Sequence, residues 1–330
     1  MSGQVILETV SPKEEGVRLD KWVKRRLQVT QGQIEKLLRT GQIRVDGSRA
    51  KSNTRLEAGQ EVRLPPVRSE KKSKPKDTSA SEADRRFMKD IILYEDDEMI
   101  ALNKPAGIAV QGGTKMKRHI DGMLGALSDK DGMKPKLVHR LDKDTSGVLL
   151  VGKTPASTAR LSDLFRGREM QKVYWAVTVR VPNPPAGQIR SWMKKGTGGA
   201  MGADREMMLP AHQGEEGARH AVTDYVVVTT AARRAAWVAL RPLTGRTHQL
   251  RFHMLEIETS ILGDGKYATA REAPSGVGSG LHLHARALVI PKERGKPITI
   301  TAPLPPHMKE TFSALGFDER EAGADPLELF

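Results

Sequence analysis

The chain reads as an α+β protein: a small basic module of two helices and short strands, then a larger domain on a mainly antiparallel or mixed sheet. Three observations predict this. Short apolar runs bounded by turns recur along residues 87–317. Helical patterns interrupt them irregularly, without the strand–helix alternation of a doubly wound fold. No Gly-rich phosphate loop follows a strand. A length of 330 residues fits roughly two domains.

The module is expected over residues 17–65. Leu19, Trp22, Val23 and Leu27 recur at helical spacing, with Lys21, Lys24, Arg25 and Arg26 on the opposite face. Thr30-Gln31-Gly32-Gln33 suits a capping box for a second helix. Ile34, Leu37 and Leu38 form its apolar stripe and Gly41 ends it. Ile43, Val45 and Asp46-Gly47 read as a strand and tight turn. Gly59, Val62 and Leu64 read as a closing strand. Residues 66–86, which include Lys71-Lys72-Ser73-Lys74-Pro75-Lys76, hold too little apolar surface for a core and read as a flexible linker. Its lysines suit either a solvated tether or contacts to an anion.

In the larger domain, Val148–Val151, Tyr174–Val179, Tyr225–Val228, Trp237–Leu240 and Ala287–Ile290 read as strands. Ser157–Phe165 and Thr247–Ile257 read as helices. The Gly- and Met-rich stretch from Trp192 to Met208 reads as a long mobile loop, and the acidic tail 318–330 as frayed.

Lys plus Arg number 54 against 40 acids, a net charge of +14, so a polyanion is a natural partner. The first 86 residues carry 20 basic and 12 acidic side chains, or +8, which leaves +6 for the remainder. The absence of cysteine excludes disulfides, thiolate zinc sites and cysteine nucleophiles. Met1 to Gly16 lacks a charged-then-apolar leader pattern, and no apolar run reaches the ~18–20 residues of a membrane span. A cytoplasmic, monomeric protein is expected.

The most informative stretch is His139-Arg140-Leu141-Asp142-Lys143-Asp144-Thr145-Ser146-Gly147. It sets an acid among basic residues in a turn just before an apolar strand. Such a carboxylate, expected to carry its charge, suits a nucleophile, a general base or a structural anchor. Two superficial matches fail on order. A kinase loop reads His-Arg-Asp without the intervening leucine, and a glycosidase wants a second acid in a paired motif. The spacings His248/His253 and His282/His284 lack a third ligand in a recognised pattern, so no metal is expected.

This stretch resembles the signature of the RluA family of RNA pseudouridine synthases. Three further segments follow in the family's order. These are Lys172-Val173-Tyr174-Trp175-Ala176-Val177, the run from Arg241 to Arg251, and the closing elements Gly263-Asp264 with Tyr267, His282-Leu283-His284-Ala285 and Ala302-Pro303-Leu304-Pro305. Tyr267-Ala268, where the family commonly has glycine after the tyrosine, and an insert around Gly276–Gly280 depart from it locally. The front module resembles the S4 (alpha-L) RNA-binding domain.

The resemblance implies a pseudouridine synthase catalytic domain over 87–317 that isomerises uridine in RNA without a cofactor. It implies Asp142 as the catalytic carboxylate, as nucleophile or as base. Tyr174 would face the target uracil, and Arg251 would pair with Asp142. Arg140 would fill the space of the extruded uridine. His139, which would orient the loop, Leu141 and Arg246 would complete the substrate contacts, while Asp144 would be exposed or salt-bridged. In the module, Arg18, Lys21, Lys24, Arg25, Lys36, Arg39 and Arg44 would contact RNA. Val148-Leu149-Leu150-Val151 and Val62-Arg63-Leu64-Pro65-Pro66-Val67-Arg68 resemble most the RluC branch, which implies large-subunit (23S) ribosomal RNA as partner; the alternatives are an RluD-like or tRNA-directed synthase, or a non-catalytic RNA-binding ribosome assembly factor.

Overall fold

The computed structural model describes residues 6–27, 29, 31–66, 81–112, 118–130, 132–198, 205–267, 274, 276–292 and 294–330. Contacts divide the chain into two units, Met1–Asp77 and Thr78–Phe330.

The first unit contains β1 (Ile6–Thr9), α1 (Leu19–Leu27), α2 (Gln31–Arg39), β2 (Arg44–Val45) and β3 (Glu61–Leu64). Its strands form an antiparallel sheet in the order β1-β3-β2. The expected stripes meet in its core: Leu19, Trp22, Val23, Ile34 and Leu38 pack with Ile43, Val62 and Leu64. Gly41 (φ +70) follows α2, and Asp46 (φ 46) and Gly47 (φ 74) make the left-handed pair that an Asp-Gly hairpin turn requires. Thr30, the expected cap of α2, lies outside the described residues. β1 extends the unit ahead of the expected start at residue 17. Its side chains are mostly exposed, so no apolar pattern marks it, and it joins the sheet by backbone pairing of Ile6 with Leu64. Arg26 is not part of a free basic face. It lies over the Trp22 ring at 3.4 Å and pairs with Glu8 and Glu14.

The second unit opens with α3 (Glu82–Asp90), capped by Ser81, whose hydroxyl accepts from the Asp84 amide. Residues 82–86 are therefore helix rather than linker, while 67–80 lie outside the described residues. The Ser81-x-x-Asp84 pattern is the sequence signal of that cap. There follow β4 (Ile92–Glu95), β5 (Met99–Lys104), α4 (Ile120–Met123), β6 (Lys136–Leu137), β7 (Ser146–Gly152), α5 (Pro155–Gly167) and β8 (Gln171–Val179). Then come β9 (Ala186–Gly198), β10 (Arg205–Ala211), β11 (Arg219–Ala231), β12 (Ala235–Pro242), α6 (Gln249–Glu256), β13 (Leu283–Ile290), β14 (Ile298–Thr301) and α7 (Pro306–Leu315).

One mixed sheet runs β10-β9-β11-β12-β8-β13-β7-β5-β4, with β14 on β13 and β6 on β7. The β13–β7 pair is parallel and the other pairs are antiparallel. At its centre the strands are covered on both faces, which explains their near-continuous apolar runs. Val173, Trp175 and Val177 of β8 join Ala235, Trp237 and Ala239 of β12 under Met308 and Phe312 of α7. The alternate residues, Tyr174 and Ala176 with Ala236, Val238 and Leu240, pack under Leu250 and Met254 of α6. Period-two alternation thus puts Tyr174 on the α6 face.

Within the expected loop Trp192 to Met208, residues 192–198 and 205–208 are paired antiparallel strands, with Lys195 opposite Met208 and Trp192 opposite Ala211, while 199–204 lie outside the described residues. Its Gly and Lys content hides it from an apolar pattern. Nor is the tail frayed. Ala322 is buried in the α7 core with Leu327, Leu329 and Phe330 against it, and Glu319 pairs with Arg286 at 3.3 Å.

Gly147 shows how tightly β7 meets β13. Its φ is +108, and a Cβ there would lie 2.2 Å from the Ala285 carbonyl oxygen on the neighbouring strand. Backbone held in a sheet cannot yield that space, so Gly147→Ala should destabilise the unit by about 3 kcal/mol or more. A urea midpoint equal to that of the wild type would contradict this.

Candidate active site

The segment His139–Thr145 leads into the first residue of β7, and its backbone is pinned from three sides. His139 Nε2 accepts the Leu150 amide at 2.8 Å while its ring stacks on Phe165 at 4.3 Å. Burial, helped by the charge of Lys172, pushes this imidazole down to about 3, so it stays a neutral acceptor. The Thr145 amide donates to the Asp142 carbonyl at 3.2 Å, and the Gly107 amide to the Lys143 carbonyl at 3.0 Å. Beyond Thr145, the Ser146 hydroxyl meets His284 Nδ1 at 2.8 Å.

The third anchor is Lys104, fully buried at the end of β5. Its ammonium donates to the carbonyls of Pro105, Ile108 and Lys143 at 2.9, 2.8 and 2.9 Å, using all three hydrogens. Burial pulls it down to about 8, and the charges of Asp144 and Asp142 oppose that fall. Sequence reasoning passed over this residue. Its signal was a lysine closing the apolar strand Met99–Lys104.

With the backbone so held, the Asp142 side chain, 24% exposed, opens on a cavity of about 440 Å³. Tyr174, half-buried, lines the same cavity from β8. Burial and then the charge of Asp142 raise its phenol well above the ordinary range, so it remains a hydrogen-bond donor. Leu141, itself buried, lies beneath the loop, and Arg140 is exposed at the rim. Arg166, Arg168, Lys172 and Arg246 also line the cavity. Asp144 is exposed.

The opposite wall is the turn from β12 into α6. Gln249 organises it, with its carbonyl oxygen accepting from the Thr244 hydroxyl at 2.7 Å and the Arg246 amide at 3.0 Å. The Arg246 Nε donates to the His220 carbonyl at 3.1 Å, which holds the guanidinium at the mouth.

Arg251 departs from expectation. Its Nε and Nη2 form a two-pronged pair with Asp264, both at 2.6 Å, and not with Asp142. Both side chains are almost wholly buried. Arg251 still lines the cavity and feels the charge of Asp142. The carboxylate of Asp264 also accepts the amides of Lys266 and Tyr267 at 2.9 and 3.1 Å. Gly263, before it, has φ +75, and a Cβ there would strike the Gly280 carbonyl.

The side chain that faces Asp142 is His248, with Nε2 at 4.0 Å from Oδ2. Sequence reasoning weighed this residue only as a metal ligand. It sits at φ 51, ψ 19, a left-handed conformation costing on the order of 1–3 kcal/mol in a residue with a side chain. The other histidines of those spacings make hydrogen bonds within the fold: His253 with Thr223, His282 with Thr311 and His284 with Ser146. Among the described residues, no group of three or more His, Cys, Asp or Glu is placed to hold a metal ion.

In the first unit Lys21, Lys24, Arg25, Lys36 and Arg39 are exposed. Arg18 and Arg44 have structural partners as well. Arg18 pairs with buried Asp20 at 2.7 Å, and Arg44 donates to the carbonyls of Gly41 and Gly47 at 3.2 and 3.0 Å.

Known proteins resemble the chain throughout. A family model described as RNA pseudouridylate synthase matches residues 98–256, and one described as the S4 domain matches residues 17–62. Ribosomal large subunit pseudouridine synthase C of Rickettsia felis is 35% identical over 302 residues, covering 89% of this chain and 95% of that protein. The protein of the same name in Escherichia coli O6:H1 is 31% identical over 329 residues, covering 94% and 97%. The solved structure of Human RNA Pseudouridylate Synthase Domain Containing 4 aligns with a TM-score of 0.59 at 29% identity, over 71% of this chain and 96% of that one. Identity at this level over nearly the full length of these relatives means that the chain belongs to the RluA family of RNA pseudouridine synthases and carries an S4 domain ahead of its synthase domain.

Proposed function

We propose that the protein isomerises uridines of large-subunit (23S) ribosomal RNA to pseudouridine, with Asp142 as the reacting carboxylate. The observation that carries this reading is the cavity where Asp142 and Tyr174 meet under a rim of cations. Its volume of about 440 Å³ falls in the ~300–1,000 Å³ range of ligand pockets, room for one nucleoside but not for a duplex. The target uridine therefore leaves its stack to enter. Arg140 at the rim suits the vacated space, and Arg166, Arg168, Lys172 and Arg246 suit the flanking phosphates.

Inside, the bond from ribose C1′ to uracil N1 breaks, the base turns, and C1′ joins C5. The carboxylate of Asp142 serves either as nucleophile towards the sugar or as base at a sugar proton. Tyr174 offers a ring face to the uracil and a retained phenolic proton near C5. The large-subunit target is the one named for the relatives in Rickettsia felis and Escherichia coli. We take the protein to act as a cytoplasmic monomer without a metal or organic cofactor. Among the described residues no helix is long and apolar enough to cross a membrane.

The test is to map pseudouridines in ribosomal and transfer RNA from cells with and without the protein. Loss of specific marks in large-subunit RNA is expected. Loss confined to transfer RNA would overturn the substrate assignment. RNA affinity should also fall steeply as salt rises, with a log–log slope near −0.7 to −0.9 per phosphate contact. Replacing Lys21, Lys24 and Arg25 together by alanine should make that slope shallower by about 2–3. An unchanged slope would remove these residues from the RNA interface.

A further inference from the structure

Tyr267 ties His248 to the rest of the fold. Its hydroxyl oxygen accepts the Met208 amide at 2.7 Å and meets His248 Nδ1 at 3.0 Å. The phenol has one hydrogen to give. Were Nδ1 the donor, the phenol would accept twice, and its own hydrogen would have no acceptor among the described residues around a ring only 4% exposed. The phenol therefore donates to Nδ1. Burial raises it to about 12 and lowers His248, so both groups are neutral near pH 7. The single imidazole proton then sits on Nε2, the nitrogen 4.0 Å from Asp142 Oδ2.

Each link behind this contact is fixed. Asp264 accepts the Tyr267 amide and is itself held by Arg251. The left-handed backbone at His248 sets the direction of the ring. We propose that His248 is a positioning residue for the reaction: its Nε2–H closes on Asp142 Oδ2 when a nucleoside expels water from the cavity, leaving Oδ1 to meet the ribose. This rests on the reading of Asp142 as the reacting carboxylate. A 4.0 Å separation is compatible with it, because catalytic hydrogen bonds are often long until substrate binds. The Met208 amide belongs to β10, so the hairpin arm takes part in holding the carboxylate.

The experiment uses the full-length protein and transcribed large-subunit ribosomal RNA made with uridine tritiated at C5. That tritium is released when C5 takes the sugar. In His248→Ala, kcat should fall about 10- to 100-fold, the value of one hydrogen bond to a charged group, while KM and RNA affinity stay within about twofold. His248→Gln, whose amide N–H reaches the Nε2 position, should recover most of the loss. Tyr267→Phe should fall between the two, since nothing then assigns the tautomer. A wild-type kcat in His248→Ala, a defect confined to KM and affinity, or no recovery in His248→Gln would overturn the proposal. If the wild type releases no tritium, the proposed function falls and this inference with it. If the wild type is active and His248→Ala matches it, only the inference falls.

Discussion

Asp142→Asn should abolish isomerisation, lowering turnover by roughly ten-thousand-fold or more, while RNA affinity stays close to that of the wild type. The substitution keeps the shape of the side chain and removes its charge. An amide serves neither as the nucleophile nor as the base that the reaction needs. The fold should hardly register the change, because the loop is held by backbone groups. The Asp142 carbonyl accepts Thr145, the Lys143 carbonyl accepts Lys104 and Gly107, and the carboxylate itself is partly open to solvent. Tritium release measures the first effect, filter binding the second, and thermal unfolding confirms the intact fold. Asp144→Asn, on an exposed carboxylate two residues along, should remain active. Turnover within tenfold of wild type in Asp142→Asn would remove Asp142 from its role, and a dead Asp144→Asn would point to the wrong acid.

The local half of this site was readable in the sequence. His139 through Gly147 is contiguous, a short turn followed by the first two residues of β7. The apolar strands around Tyr174 and Trp237 also stand out, because both faces are covered and nearly every residue is apolar. What could not be read depends on distant partners. Nothing in the run Arg241–Arg251 says that its last guanidinium meets an acid thirteen residues on rather than Asp142. Lys104 receives its role from Lys143, thirty-nine residues away, and His248 receives its tautomer from Tyr267. β1 escapes a sequence reading because backbone pairing, not an apolar stripe, holds it at a sheet edge, and the arms of β9 and β10 because their buried Met193, Met207 and Met208 stand scattered among Gly and Lys. The tail misled for the converse reason. Its acids face outward while Ala322, Leu327 and Phe330 turn in, too sparse a pattern to stand out.

Asp264→Ala carries the second large effect. Arg251 is 4% exposed, and the substitution would leave its charge buried with neither of its hydrogen bonds to Asp264. Breaking one partner of such a pair costs about 3–5 kcal/mol. The amides of Lys266 and Tyr267 lose their acceptor in the same step. The pair need not be a net source of stability, because taking both charges out of water is itself expensive. Replacing both together, as Arg251→Met with Asp264→Leu, should therefore recover much of the lost stability. Activity should not return with it. Tyr267 would lack the carboxylate that fixes its backbone, His248 would lose its direction, and the cavity would lose the cation that acts on Asp142 from α6. Urea unfolding followed through Trp175 and Trp237, both in the synthase unit, reads the stability of the three variants, and tritium release reads their turnover. If the double variant proves no more stable than Asp264→Ala, the single variant's loss owes little to a stranded charge and more to the unfilled amides. If it regains wild-type turnover, the buried pair serves the fold alone and the arginine has no part in aiming the carboxylate.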